Sequence, residues 1–344
     1  MSVFTLPQAE KEEVLLTELS ALTEHHRRNS EPYARILAAS GFEKADSVAE
    51  LPWLPVRLFK SLELKSIPDD EVFKVLTSSG TTGEVSRIYL DKHAAAEQTR
   101  RLGATVQTVL GPKRLPMLLV DTKAMLKDRK SFSARGAGVL GMSTFGRDHV
   151  WALDNDGVVD LDAIRGFLDK HGDAPFLIFG FTFLVWLHLY EVARDNGLDL
   201  SNGILIHSGG WKKLIDQAVS PDEFRARLAG VGLTNVHNYY GMVEQIGTVF
   251  LEGPSGGSLY CPDFADVIVR DPITWRELPP GETGLLEVIS TLPTSYPGHV
   301  LLTEDLGVVH GVDDGDWPGK RFSVLGRLPR AEARGCSDTY REAA

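Results

Sequence analysis

The sequence predicts an α/β protein of layered sheets that closes in a β-rich C-terminal subdomain. Three observations predict it. Apolar strands alternate with helix-period segments between residues 72 and 258, two of those strands run into glycine-rich turns, and short strands separated by turn residues fill the chain from Leu259 onward. Alternation of strands with helices belongs to a layered α/β sheet, because each helix must bury its apolar stripe against a sheet face.

The composition sets the frame. A chain of 344 residues, 43% hydrophobic and 24% charged, is of ordinary globular make-up and can bury one large core or two modest ones. The net charge of -11 argues against a nucleic-acid footprint or a polybasic membrane face, and leaves room for one local anion site. The longest apolar run, Phe176 to Tyr190, is interrupted by Gly180, Thr182 and His188 and falls short of the roughly 20 residues a bilayer span needs. It reads as buried core, not membrane insertion. The N-terminus has no signal-peptide pattern, and Cys261 and Cys336 are too few for a disulfide framework, so a reducing cytoplasm is expected.

In chain order, residues Pro7 to Arg28 are expected to form an amphipathic helix. Val14, Leu15, Leu19 and Leu22 take one face, and Glu10, Lys11, Glu13 and Glu18 the other. A short strand, Val72 to Leu76, leads into Ser78-Ser79-Gly80-Thr81-Thr82-Gly83. Then follow a helix Ala94 to Leu110, a strand Met117 to Val120, a helix Leu161 to Lys170, a strand Phe176 to Phe179 and a helix Phe183 to Asn196. The strand Ile204 to His207 opens onto Ser208-Gly209-Gly210-Trp211, and Asn235 to Tyr240 onto Gly241-Met242-Val243-Glu244. Both turns lie at strand C-termini, where open α/β sheets bind ligands. The terminal strands are placed at Asp266 to Arg270, Leu285 to Ser290, His299 to Thr303, Val308 to His310 and Phe322 to Leu325. The organisation expected is a helical segment over residues 1–70, an α/β core over 71–258, a β-rich subdomain over 259–326 and a short tail over 327–344.

The loop Ser78 to Gly83 carries the strongest chemical signal. Two glycines let successive N–H groups turn inward and four hydroxyls add donors, which suits phosphate oxygens. It is no Walker A loop, because the four-residue gap and the following Gly-Lys are missing. The alternative is a polar turn.

This string resembles the phosphate loop of the adenylate-forming superfamily of acyl-CoA synthetases, peptide-synthetase adenylation domains and luciferases. Four further elements resemble that superfamily's signatures in its own order: Tyr240 to Glu244, Gly281-Glu282-Thr283-Gly284, Leu302-Thr303-Glu304-Asp305, and Gly326-Arg327. Ser86-Arg87-Ile88, His207 to Lys212 and the ending Leu325 to Cys336 are most similar to LuxE-type acyl-protein synthetases. The resemblance covers residues 72 to 337 and is less distinct in the first seventy.

The resemblance implies ATP and Mg²⁺ as cofactors and assigns roles. Ser78, Ser79, Gly80, Thr81, Thr82 and Gly83 cradle phosphates. Glu244 offers a hard carboxylate oxygen to Mg²⁺, and Asp305 accepts the ribose hydroxyls. Arg327 pairs with ribose or α-phosphate oxygens, and Gly241 belongs to the signature around Glu244. Ser208, Gly209 and Gly210 let adenine approach the backbone, with Tyr239 or Tyr240 stacked on it. Arg87 either meets pyrophosphate or decorates a strand. Each carboxylate and each aromatic also has a plain structural reading, as a loop acid, a strand cap or buried core.

Cys336, flanked by Arg334, is the expected acyl acceptor, since a neighbouring guanidinium favours the thiolate; an inert terminal thiol is the other reading. Cys261 reads as structural. Seventeen residues follow Arg327 in this sequence, where CoA ligases carry a mobile domain with a catalytic lysine. A different cation is then needed at the α-phosphate, and Lys212, Arg87 and Arg327 are the candidates. The resemblance thus implies activation of a carboxylic acid, a fatty acid by analogy, as acyl-AMP. Transfer to Cys336 and delivery to a partner acyl reductase would follow. The rival readings are an acyl-CoA ligase of the phenylacetate type and a non-catalytic acyl-relay subunit. Phe179, Phe181, Phe183 and Trp186 either line an acyl tunnel or are core, and His207 either orients a ligand, acts as a base or is structural.

Overall fold

A computed structural model describes residues 2–78, 85–126, 134–211 and 216–328. Ser79, Gly80, Thr81, Thr82, Gly83, Lys212, Arg334 and Cys336 lie outside the described residues. The described chain divides into two compact units. The first takes residues 2–108, 240–253 and 258–328; the second takes Val109–Tyr239 with Pro254–Gly257. No helix among the described residues is long and apolar enough to cross a membrane.

In the first unit the strands Ala265–Arg270, Thr283–Ser290, Val300–Val312 and Lys320–Arg327 are antiparallel neighbours in that order, and Leu259–Tyr260 adds to the last of them. The two short strands expected at His299 to Thr303 and Val308 to His310 are a single strand of 13 residues. It stays paired through register shifts at Leu306/Gly307 and Val309/Gly311, because bulges absorb the residues whose alternation breaks the pattern. The N-terminal segment joins this sheet: Leu54 pairs in parallel with Leu301, and Val56 N–H donates to Leu302 O at 3.0 Å.

The N-terminal helix spans Gln8–Asn29 and buries Leu15 and Leu19 against Ala45, Val48, Leu51, Ile268, Ile289 and Val300. Two assignments on it are corrected. Val14 is 43% exposed, and Lys11 is fully buried. Lys11, Leu15 and Leu19 follow one another at i, i+4 on one face, so the lysine enters the core, where Asp266 meets its charge at 3.6 Å. Asp266 also receives Lys320 at 3.1 Å and the Gln8 amide at 2.7 Å. Burial pushes its carboxyl up, but the two ammonium groups outweigh burial and hold it below the ordinary aspartate range.

The second unit is the α/β layer. Its parallel strands run in the order Asn235–Tyr240, Gly203–Ser208, Phe176–Phe181, Leu115–Thr122 and Gly146–Leu153. Phe176–Phe181 lies between two neighbours and is buried at every position, as a central parallel strand should be. The helix Leu161–His171 begins where the Asp160 carboxylate accepts from Ala163 N–H at 2.9 Å. The helix expected from Phe183 starts at Thr182 and is not uniform, because a π-helical segment, Trp186–Tyr190, separates Thr182–Val185 from Glu191–Asn196. Single π turns are rare and locally widen the helix.

Candidate functional site

In the first unit, the strands Lys74–Thr77 and Arg87–Leu90 form an antiparallel pair that brackets the hydroxyl-rich loop, with Thr77 opposite Arg87. Ser78 N–H donates to Ser86 O at 3.2 Å, and Ser86 N–H donates back to Ser78 Oγ at 3.0 Å. The two serines join the ends of the strand pair. Ser78 therefore spends hydroxyl capacity on Ser86, and Arg87 is exposed on the strand Arg87–Leu90.

Glu244 sits in the short turn Val243–Gln245, buried to 8% exposure. Its neighbour Gln245 anchors the turn, donating to Val288 O at 3.0 Å and Gly298 O at 2.9 Å. Just beyond, Gly247 has φ +89° and a Cβ there would fall 2.6 Å from Gln98 Cβ, so no other residue fits. Burial pushes the Glu244 carboxyl above the ordinary glutamate range. The Ser86 hydroxyl, the Lys60 ammonium and the Arg327 guanidinium pull it back, and the charged form is favoured by those neighbours.

Asp305 lies inside the strand Val300–Val312, not after a shorter one, and is 7% exposed. Its Oδ2 accepts from the Tyr240 hydroxyl at 2.7 Å and its Oδ1 from Arg327 Nε at 3.0 Å, directly across the sheet. Thr303 Oγ1 accepts from Asp305 N–H at 3.1 Å and donates to Leu286 O at 2.7 Å, which fixes the backbone beneath the carboxylate. Tyr240 is half-buried, and desolvation of its hydroxyl and the Asp305 charge both keep the phenol protonated as a donor. Gly241 leads from Tyr240 into the turn. The first unit thus collects Ser78, Tyr240, Glu244, Asp305 and Arg327.

Lys60 is the residue sequence reasoning missed. It belongs to the helical turn Leu58–Ser61, and that turn is placed by the pairing of Leu54–Pro55 with Leu301–Leu302 and by the ion pair of Arg57 with Glu304, next to Asp305. Phe59 packs on Tyr296 at 6.0 Å, and Tyr296 in turn is held protonated by burial and by the Glu244 charge. No local motif marks Lys60. The available signal was the run Leu54-Pro55-Val56, a short apolar segment ahead of two cations.

In the second unit, Ser208 ends the strand Gly203–Ser208 and is paired with Phe181 on one side and Tyr239 on the other. Gly209 takes φ +81°, and Gly210 follows. A Cβ on Gly138 would lie 3.9 Å from the Tyr239 hydroxyl and 3.7 Å from the Phe181 ring, so Tyr239 faces the helix Ala134–Ser143. His207 is buried, and burial first, then the charges of Arg225 and His237, lower its pKa to about 3. It is neutral at physiological pH and too weak a base to take a proton from a substrate. Phe179, Phe181, Phe183 and Trp186 are all buried. Cys261 follows the strand Leu259–Tyr260 and is buried, and burial pushes its thiol up, which makes it inert.

Comparison with known proteins gives this geometry a family. Residues 2–344 match the LuxE acyl-protein synthetase family. The chain belongs to that family. A long-chain-fatty-acid–luciferin-component ligase of Vibrio harveyi is 24% identical to it, the match covering 91% of this chain and 84% of that one. The protein of the same name from Aliivibrio fischeri is 22% identical over the same shares. Among solved structures, an open 2-hydroxyisobutyryl-CoA ligase with its acyl-AMP and CoA superposes at a TM-score of 0.71, with 19% identity, over 95% of this chain and 77% of that one. ATP-bound MatB from Rhodopseudomonas palustris reaches 0.52 with 17% identity, over 76% of this chain and 49% of that one. The fold is that of the adenylate-forming ligases, and the family is that of the acyl-protein synthetases.

Proposed function

We propose that this LuxE-family enzyme joins a fatty acid to AMP, moves the acyl group to its own Cys336 as a thioester, and delivers it to a partner acyl reductase. In the first half-reaction a carboxylate oxygen of the acid attacks the α-phosphorus of ATP. The bond from the α-phosphorus to the bridging oxygen breaks, and pyrophosphate leaves. In the second, the Cys336 thiolate attacks the acyl carbonyl, the acyl–phosphate bond breaks, and AMP departs.

The observation that supports the reading best is the first unit's carboxylate pair: Glu244 among Ser86, Lys60 and Arg327, and Asp305 held by Tyr240 and Arg327. Asp305 keeps lone pairs beyond those two hydrogen bonds for ribose hydroxyls. Glu244 fits Mg²⁺, which takes one or two protein carboxylates and completes its shell with substrate phosphates and water; bound there, the ion would offset phosphate charge. Glu244 is the assigned ligand. Lys60 is assigned as the cation that offsets charge in adenylation, ahead of Arg87. The turn Ser208–Gly210 and Tyr239 are assigned to the adenine, and the names of the two relatives favour a long-chain acid.

Intact-protein mass spectrometry after incubation with MgATP and fatty or aromatic acids, without CoA, tests it. The expected result is a gain of one acyl group, labile to hydroxylamine, that maps to Cys336. Cys336→Ser should keep acid-dependent pyrophosphate exchange and lose the label. Pyrophosphate release without an adduct, and stimulated by CoA, would assign an acyl-CoA ligase instead. No exchange with any acid would leave only an acyl-relay role.

A further inference from the structure

The turn Ser208–Gly210 is held by a residue that neither the motifs nor the family comparison marks. Thr182 begins the helix after the strand Phe176–Phe181, and its hydroxyl makes three contacts at the end of the neighbouring strand. Those contacts are His207 Nδ1 at 2.9 Å, Gly209 O at 2.6 Å and Ser208 O at 3.2 Å. A threonine hydroxyl has one proton to give, and carbonyl oxygens can only accept. The shortest contact takes that proton, so Thr182 donates to Gly209 O. The His207 contact is then a hydrogen bond only if the ring donates, which places the imidazole proton on Nδ1. His207 is buried and neutral, so this arrangement persists across physiological pH.

The same helix grips the far side of the turn. Trp186, the first residue of the π segment, meets the Trp211 ring edge-on at 5.4 Å and 75°, and stacks on Phe224 at 6.0 Å and 25°. Phe224 also lies 4.9 Å from His207. The turn is therefore clamped at Gly209 by a hydroxyl and at Trp211 by a ring, both from Thr182–Tyr190. Gly209 sits at positive φ, where the backbone has most freedom to lose, so a fixed carbonyl there decides the shape of the turn.

We propose that Thr182 is the positioning residue of the nucleotide turn: its hydroxyl, oriented by His207, holds the Gly209 carbonyl so that Ser208–Gly210 is shaped for ATP before ATP arrives. The inference rests on the assignment of that turn to adenine. A turn that is ordered in advance spends less of the binding free energy on its own ordering, so the effect falls on ATP affinity and not on the chemical step.

Thr182→Val and Thr182→Ser test it, with ATP binding measured by calorimetry in the absence of acid and with KM and kcat from pyrophosphate exchange. Thr182→Val is expected to weaken ATP binding about 10-fold, the loss of one hydrogen bond, and to raise KM for ATP alike with kcat within about twofold. Thr182→Ser restores both. Nitrogen-15 spectra of histidine-labelled protein should show His207 protonated at Nδ1, and in Thr182→Val that signature should shift. If Thr182→Val is not recovered folded, Thr182→Ala is read against the same thresholds. Valine or alanine variants that bind ATP as the wild type does would overturn the proposal. So would a serine variant as impaired as valine, since the methyl group and not the hydroxyl would then matter. A wild-type protein that adenylates its acid, with an adenine photoprobe labelling elsewhere than Ser208–Trp211, would overturn the assignment of the turn and this inference with it. Unaltered labelling of the turn with unchanged affinity in Thr182→Val overturns the inference alone.

Discussion

The Tyr240 hydroxyl donates to Asp305 Oδ2 over 2.7 Å, so the tyrosine of the Tyr-Gly-Met-Val-Glu signature serves as the support of a carboxylate. The carboxylate's other oxygen is taken by Arg327 Nε. Tyr240→Phe removes one hydrogen bond to a charged group and frees Asp305 to rotate. It is expected to raise KM for ATP on the order of 10-fold while the protein stays folded. Steady-state pyrophosphate exchange with ATP varied makes the check, and an unchanged KM would detach Tyr240 and Asp305 from nucleotide binding.

Glu244 and Lys60 make a paired prediction. Burial raises the Glu244 pKa in the metal-free enzyme and Lys60 opposes it, so the acid limb of kcat/KM for MgATP, which reports the free enzyme, should lie above the ordinary glutamate range. Lys60→Met removes a positive charge that favours the carboxylate, and the limb should move to higher pH; Lys60→Arg should leave it near its place. Glu244→Gln should cost more than the roughly 10–100-fold that loss of an outer-shell metal partner costs. A pH–rate profile that Lys60→Met does not move would remove Lys60 from the site.

The buried pair Arg270–Glu287 carries stability. Arg270 NH2 donates to Glu287 Oε1 at 2.9 Å and to Ala49 O at 2.7 Å, tying a strand pair to the N-terminal segment. Burial pushes the Glu287 carboxyl up, and Arg270 pulls it back toward the charged form. Glu287→Ala would strand the guanidinium in the core and should cost about 3–5 kcal/mol. Chemical denaturation measures this, and a loss below about 1 kcal/mol would mean that Arg270 finds another partner.

Two buried histidines predict the response to acid. His299 and His207 both fall to about 3, through burial first, against about 6.5 in the unfolded chain. Their folded pKa is depressed, so the unfolded state binds the extra protons. The stability they lend is whole above pH 6.5 and is lost as pH falls toward 3, at about 1.4 kcal/mol per pH unit for each. His299 faces Thr23, whose hydroxyl donates to Leu19 O and so accepts from Nε2–H, and it lies near Tyr33, His25 and His26. Urea midpoints at pH 7.5, 6 and 5 should fall steeply, and His299→Gln should flatten the fall. A midpoint level across that range would contradict the burial of both rings.

The sequence by itself determined the architecture and the order of its motifs. Strand and helix periods depend on residues a few positions apart, and so the strand Phe176 to Phe179 and the helix Leu161 to Lys170 were legible to within two residues of their C-terminal ends. The family resemblance likewise rests on strings such as Tyr240 to Glu244 that are contiguous in the chain. The tertiary structure decided what depends on distant pairing. Lys11 looked like a solvated face because its counter-charge, Asp266, lies 255 positions away, and only packing brings them together. The strand Val300–Val312 looked like two, because a bulge interrupts alternation without interrupting hydrogen bonding. Lys60 and Thr182 belong to no motif. One is carried by a two-residue strand pairing with Leu301–Leu302 and the other by a hydroxyl that reaches the next strand's end. Pattern reports which face a residue prefers; which group it meets there is fixed by the register of elements far apart in the chain.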